Sequence, residues 1–160
     1  MNSGAEFSEN RWYRYALWRI WNENKPPVMF IGLNPSTANE RKDDATIRRV
    51  IRFAFDFGAG GLYMMNLFAF VTPHPYELAE AHDPLGDNDD WLERISGKCD
   101  RVIFAWGAFG DPKGRNVIRE RAEAVKARFP GAYCLTKTKS GHPAHPLYLP
   151  KDTKPTPFFT

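Results

Sequence analysis

Residues 27–39 read P-V-M-F-I-G-L-N-P-S-T-A-N. Val28 to Ile31 is an apolar run short enough for a buried strand, and the chain then breaks at Gly32 into Asn34-Pro35-Ser36-Thr37. A charged loop follows, Glu40 to Asp44, and from Ala45 the residues Ile47, Val50, Ile51, Ala54 and Phe55 fall at helical spacing, with Asp43 or Asp44 placed to cap. Strand, polar turn and helix in that order build a site beyond the carboxyl end of a strand in α/β proteins. The turn holds polar side chains and few acids, which suits recognition or the positioning of a water. A neutral Asn amide donates and accepts, so Asn34 can orient a water or read the edge of a heterocycle. Asn-Pro is also a common turn starter, so Asn34 can equally serve the turn alone.

Outward from this unit the pattern repeats. Residues 12–21 alternate with period two and predict a strand at a sheet edge that could pair with 28–33 as a hairpin. Leu62 to Leu67 is a second short apolar strand, with Asn66 near its end, where a polar side chain needs a partner or faces a ligand. Short helices are expected near 76–81 and over 87–96. A third buried strand, 101–106, ends in a Gly107–Gly110 loop. A basic amphipathic helix over 113–128 leads to a fourth strand at 131–135, and residues 137–160 show no clear period. The expected fold is α/β: a three-layer α/β/α arrangement with a mostly parallel four-stranded central sheet and an N-terminal edge strand or hairpin, in one domain over 1–160. Parallel strands place their following loops on one edge, so 32–37, 66–72, 107–110 and 140–147 should converge there.

Composition narrows the classes. A chain of 160 residues can bury a real core, and 42% hydrophobic with 26% charged residues fits a globular protein. No apolar stretch approaches the roughly 18 residues of a membrane span, and the polar Met1–Asn10 segment reads as neither signal nor transit peptide. Cys99 and Cys134 stand apart, outside any metal-ligand spacing, and suggest a reducing cytoplasm. Charge is uneven: residues 1–100 hold 11 Lys/Arg against 15 Asp/Glu, residues 101–160 hold 11 against 4. The basic C-terminal part suits a polyanion, or is a solvated surface with a charge imbalance.

Familiar catalytic signatures do not fit. The Gly32–Ser36 turn lacks the Gly-Lys-Ser/Thr ending of a P-loop and the three glycines of a dinucleotide fingerprint, so no cofactor is expected. Ser36 and Thr37 lack a Gly-x-Ser-x-Gly context, and no carboxylate dyad stands out. His142 and His145 flank Pro143-Ala144 after the last strand and could donate to a developing oxyanion or act in acid–base work. No Asp, Glu or Cys completes a metal set beside them, so no metal is expected. Arg48, Arg49 and Arg52 open the first helix near the site edge, where they could hold phosphates or pair with Asp43, Asp44 and Asp56.

Taken together, G-L-N-P-S (32–36), M-M-N-L (64–67), the strand ending W-G-A-F (106–109) and H-P-A-H-P-L (142–147) resemble the uracil-DNA glycosylase superfamily. Over its whole length the chain also resembles DUF1643, small bacterial and phage proteins known only as a domain of unknown function. The glycosylase resemblance implies a monofunctional enzyme that cleaves the N-glycosidic bond of uracil or a 5-substituted pyrimidine. It implies that Asn34 positions the hydrolytic water, as in the mismatch-specific branch, and that Asn66 reads the amide edge of the base. His145, or less cleanly His142, would face the O2 of the leaving base. Gly32, Pro35, Ser36 and Phe68 would complete the base site. Pro146 and Leu147 would meet the duplex, with Arg48, Arg49, Lys137 and Lys139 along the DNA. The superfamily's bulky Tyr after Pro is here Ser36, which leaves room at C5. No four-cysteine set is present, so the iron–sulfur branches do not apply. The expected partner is DNA or a nucleotide, met by a monomer without a membrane. A nucleotide-acting enzyme of the same fold and a non-catalytic nucleic-acid-binding module are the alternatives.

Overall fold

A computed structural model describes residues 1–108 and 115–160. In chain order the elements are β1 (Asn2–Phe7), β2 (Arg14–Ile20), β3 (Val28–Gly32), α1 (Ala45–Asp56), β4 (Gly61–Asn66), α2 (Glu77–Glu80), α3 (Asn88–Ser96), β5 (Val102–Phe104), α4 (Arg115–Arg128), β6 (Tyr133–Cys134), a 3-10 turn (Pro146–Tyr148) and β7 (Thr156–Pro157). The expected loop at 107–110 and helix start at 113 fall partly on residues 109–114, outside the described residues.

The chain is a mixed α/β protein, and its described residues place seven strands in one sheet, in the order β1-β2-β4-β3-β5-β6-β7. The four strands read from apolar runs, β3 to β6, are mutually parallel, and β1, β2 and β7 add to them antiparallel. The sheet is therefore wider than the expected four strands. Two of the additions have little apolar signal of their own. β1 is a polar segment whose partner β2 supplies the buried surface, and β7 is two residues followed by the buried Phe158. The expected hairpin between 12–21 and 28–33 does not form. β2 pairs with β1 on one side and β4 on the other, Leu17 opposite Met64 and Ile20 opposite Gly61. The turn at Asn22–Pro27 instead carries the chain past β4 to a parallel place beside it.

Alternation along β3 divides the core. Val28 and Phe30 meet α1 through Ile47, Val50, Phe53 and Ala54. Met29 and Ile31 share a second cluster with Leu92 and Ile95 of α3 and Ile118, Ala122 and Val125 of α4. Each fully buried aliphatic or Phe side chain contributes about 1.5–3 kcal/mol of transfer free energy, so these two clusters dominate the stability of the sheet. They also set the site. β3 leads into a helix on one face, while its neighbours β4 and β5 lead into α3 and α4 on the other. Loops that part in opposite directions leave a crevice at the carboxyl ends of the strands. Among the described residues no helix is long and apolar enough to cross a membrane.

Candidate functional site

A cavity of about 550 Å³ occupies that crevice, with Gly32, Asn34 and Ser36 on one wall and Asn66, Gly107 and His145 on others. Small-ligand sites run from roughly 300 to 1,000 Å³, so the cavity has the volume of a small-molecule site.

The first wall is clasped to the second. The amide Nδ2 of Asn34 donates to Thr72 O at 2.7 Å and Pro35 O at 3.1 Å, and Thr72 N donates back to Pro35 O at 3.0 Å. Both donor hydrogens of Asn34 are thus committed to carbonyls, and its Oδ1, an acceptor, has no partner among the described residues. Leu67 N and Phe68 N donate to Gly32 O and Leu33 O, carrying the β3–β4 pairing past the strand ends.

Asn66 sits at the end of β4, only 4% exposed. Its Oδ1 accepts from Arg14 Nη2 at 3.2 Å, while its backbone carbonyl accepts from the buried Asn88 at 2.9 Å. Arg14 is also 4% exposed, reaches Ala38 O through Nη1 at 3.2 Å, and lines the cavity. Burial pushes its pKa down to about 10, with the Asp44 carboxylate working the other way. Asp44 lines the cavity too and caps α1, accepting from Ile47 N at 2.9 Å.

The third wall comes from the 136–145 loop. Ala144 N donates to Thr136 O and Gly107 N to Pro143 O, both at 2.9 Å, which swings His145 against Gly107. Gly107 has φ +80, a conformation strained for any side chain, and a Cβ there would sit tightly, 3.3 Å from the His145 Cβ. His145 Nδ1 accepts from Leu147 N at 3.2 Å. The neutral ring therefore carries its proton on Nε2, which has no hydrogen-bond partner among the described residues. Burial holds the ring's pKa below its ordinary 6.5, opposed by Asp44, so the neutral form prevails at neutral pH. Trp106, 2% exposed, forms more of the wall, and its Nε1 donor is unsatisfied among the described residues.

Asn34, Asn66, Gly32, Ser36 and His145 thus share one cavity. Other expected site residues lie elsewhere. His142 is not on the cavity wall; burial and then the Lys126 ammonium lower its pKa, with Glu123 opposing, which places it towards α4. Phe68 is 1% exposed in the core cluster with Leu67 and Leu78. Pro35 is buried beneath the turn, where its carbonyl joins the clasp to Thr72. Pro146 is buried in the 3-10 turn, while Leu147 and Tyr148 beside it are 39% and 84% exposed. Arg49 donates to Leu149 O and lies over Phe53, which ties α1 to the 3-10 turn. Arg48 is exposed, Arg52 pairs with Asp56 at 3.4 Å, Lys137 is exposed with its ammonium 4.8 Å from the Phe158 ring centroid, and Lys139 is exposed. Among the described residues no three His, Cys, Asp or Glu side chains gather as metal ligands.

Arg14 and, as a site residue, Asp44 are among the cavity residues not singled out by sequence. Arg14 carried a signal. A charge inside the period-two strand W-Y-R-Y-A-L must either reach solvent or find partners, and burial of the strand forces the second.

The chain matches the family described as Protein of unknown function (DUF1643) over residues 14–147, and it belongs to that family. No curated protein matches it, and no solved structure does.

Proposed function

We propose that the cavity receives a flipped pyrimidine nucleotide of DNA and that the protein hydrolyses its N-glycosidic bond, acting on uracil or a 5-substituted pyrimidine. The observation that supports this most is the set of unclaimed polar atoms on one cavity: Asn34 Oδ1, the amide nitrogen of Asn66 and His145 Nε2. An acceptor, a donor and a second donor match a water, a base carbonyl and a developing base anion. Water held on Asn34 Oδ1 adds its oxygen to C1′ of the sugar. The C1′–N1 bond breaks, its electron pair leaves with the base, and the water's proton passes to solvent or base. A neutral His145 donating from Nε2 to O2 stabilises the anion as it forms, which is where a preorganised donor has most effect. Ser36 leaves the C5 side open to a substituent. The scheme uses no cofactor. We read α1 on one sheet face with α3 and α4 on the other as the three-layer frame of the glycosylase superfamily, and the exposed Leu147, Arg48, Lys137 and Lys139 as the side that meets DNA.

A second reading, an enzyme on free nucleosides or nucleotides, is favoured by Asp44, whose carboxylate in the cavity suits sugar hydroxyls. An abasic-site assay on single- and double-stranded DNA carrying uracil, thymine or 5-hydroxymethyluracil should show base release from at least one. No release at stoichiometric protein removes the DNA glycosylase reading. Release from free nucleosides alone moves the function to the second.

A further inference from the structure

Asn66 is useful for recognition only if its amide presents one known end to the cavity. An amide of this shape fits a site either way round, and its oxygen and nitrogen read opposite partners. Something must choose. A guanidinium has five N–H donors and no acceptor, so whichever atom of Asn66 faces Arg14 must be the oxygen. That atom lies 3.2 Å from Nη2. Turning the amide over would set two donors against each other between two residues that are each only 4% exposed.

The rest of the neighbourhood supports the same end. Arg14 is itself held by Ala38 O at 3.2 Å. The backbone below Asn66 is fixed by Asn88, whose Nδ2 donates to the carbonyls of Asn66 and Leu67 at 2.9 and 3.0 Å. Opposite Arg14, the amide nitrogen of Asn66 lies against Gly32, where an added Cβ would stand 3.1 Å from it. The missing side chain at 32 lets that nitrogen reach the cavity. It has no hydrogen-bond partner among the described residues.

We infer that Arg14 is a positioning residue: through Asn66 Oδ1 it locks the amide so that the N–H end faces the cavity and the site takes a ligand that offers a carbonyl oxygen there. Arg14 touches no reacting atom in this role. It acts from β2, an antiparallel strand added outside the parallel core, whose first residue reaches the carboxyl edge because the strand runs the opposite way. The selection of a carbonyl-bearing edge rests on the function proposed above; the locking of the amide does not.

The test compares the wild type with R14K and R14M. Lysine is also donor-only and can hold the oxygen, whereas methionine keeps volume and loses the donor. Thermal melts identify which variants fold, and R14K serves if R14M does not. Two readouts follow on protein with 15N-labelled Asn. The first is side-chain relaxation of the Asn66 amide, expected rigid in the wild type and R14K and mobile in R14M. The second is the ratio of uracil to cytosine release from otherwise identical DNA. It is expected to fall by about 10- to 100-fold in R14M and to be largely restored in R14K, the size set by leaving one buried donor mismatched. An Asn66 amide as rigid in R14M as in the wild type overturns the inference, as does, where R14M does not fold, an Asn66 amide in R14K that has lost the rigidity of the wild type. Absence of base release from every protein, with relaxation as expected, discards the glycosylase reading and keeps the role of Arg14.

Discussion

The two edges of the sheet are built from the same kinds of residue and finish differently. At the amino edge, the Asn22–Pro27 turn meets Gly60 at the start of β4. Gly60 N donates to Pro26 O at 3.0 Å, and Gly60 O accepts from Trp21 N and Asn22 N at 3.0 and 2.9 Å. Asn22 Oδ1 closes its own turn by accepting from Asn24 N, and Trp21 Nε1 reaches Ala59 O. At the carboxyl edge, Asn34 bridges two loops and keeps Oδ1 unclaimed, Asn66 keeps an amide nitrogen, and Trp106 and His145 each keep a ring N–H. Turn chemistry is common to both. The difference is that one edge consumes its polar atoms while the other leaves them around a cavity, because the helices after β3 and its neighbours part to opposite faces. A buried unpaired donor such as Trp106 Nε1 is costly, and together with the other unclaimed polar atoms on the same cavity it supports the ligand site proposed above.

The sharpest break of this contrast is at His145. In H145L the ring donor to the leaving base is lost while a side chain of comparable bulk remains. Removal of one such donor lowers kcat by about 100- to 1,000-fold in comparable sites, with substrate binding and the melting temperature little changed. Single-turnover base release beside a DNA-binding titration measures both. Unchanged turnover would remove His145 from the reaction, while DNA binding without base release in the wild type as well would assign the protein to the binding-module class. The counterpart at the closed edge is G60A. A Cβ there would lie 2.1 Å from Lys25 O and 2.2 Å from Asn22 O, both backbone atoms that cannot step aside cheaply. Overpacking costs about 1–3 kcal/mol and the backbone contact puts this variant at the upper end, read as a lower denaturation midpoint. Turnover per folded molecule should stay as it is. A loss of kcat in folded G60A would mean that the two edges are coupled.

The contrast also explains what the sequence could carry. Local patterns gave β3, α1 and β4 closely, because a five- or six-residue apolar run and helical spacing with an Asp cap are signals within one segment. That Asn34, Asn66 and His145 meet at one cavity was legible for the same reason, each lying at a strand end or in the loop after one. The pairing of β2 was not. Period two says that a segment is a strand and is silent on its neighbour, and the short Asn22–Pro27 link favoured a hairpin over the observed step past β4. Arg14 was hidden by the same error, since a hairpin with β3 offers it no route to Asn66. Phe68 was misplaced because a loop position after a strand does not tell whether an aromatic ring turns inward, and here the loop folds over a core that needs it.

The smallest expected effect tests the electrostatics of the open edge. Asp44 both caps α1 and stands in the cavity, so an ordinary truncation would confuse the two roles. D44N separates them, because Asn caps a helix as well as Asp. Burial lowers the His145 pKa and Asp44 raises it, so removing the carboxylate lowers it further. The active form is neutral, since protonation would set an Nδ1–H against Leu147 N–H. Activity is therefore lost as pH falls through the His145 pKa, and that acid limb of kcat/KM should lie below pH 6.5 in the wild type and lower still in D44N. The displacement is modest because Asp44 is the lesser of the two causes acting on the ring. An NMR titration of the His145 ring gives the same shift without turnover. An acid limb that moves upward in D44N would overturn this account of the Asp44 carboxylate acting on the histidine.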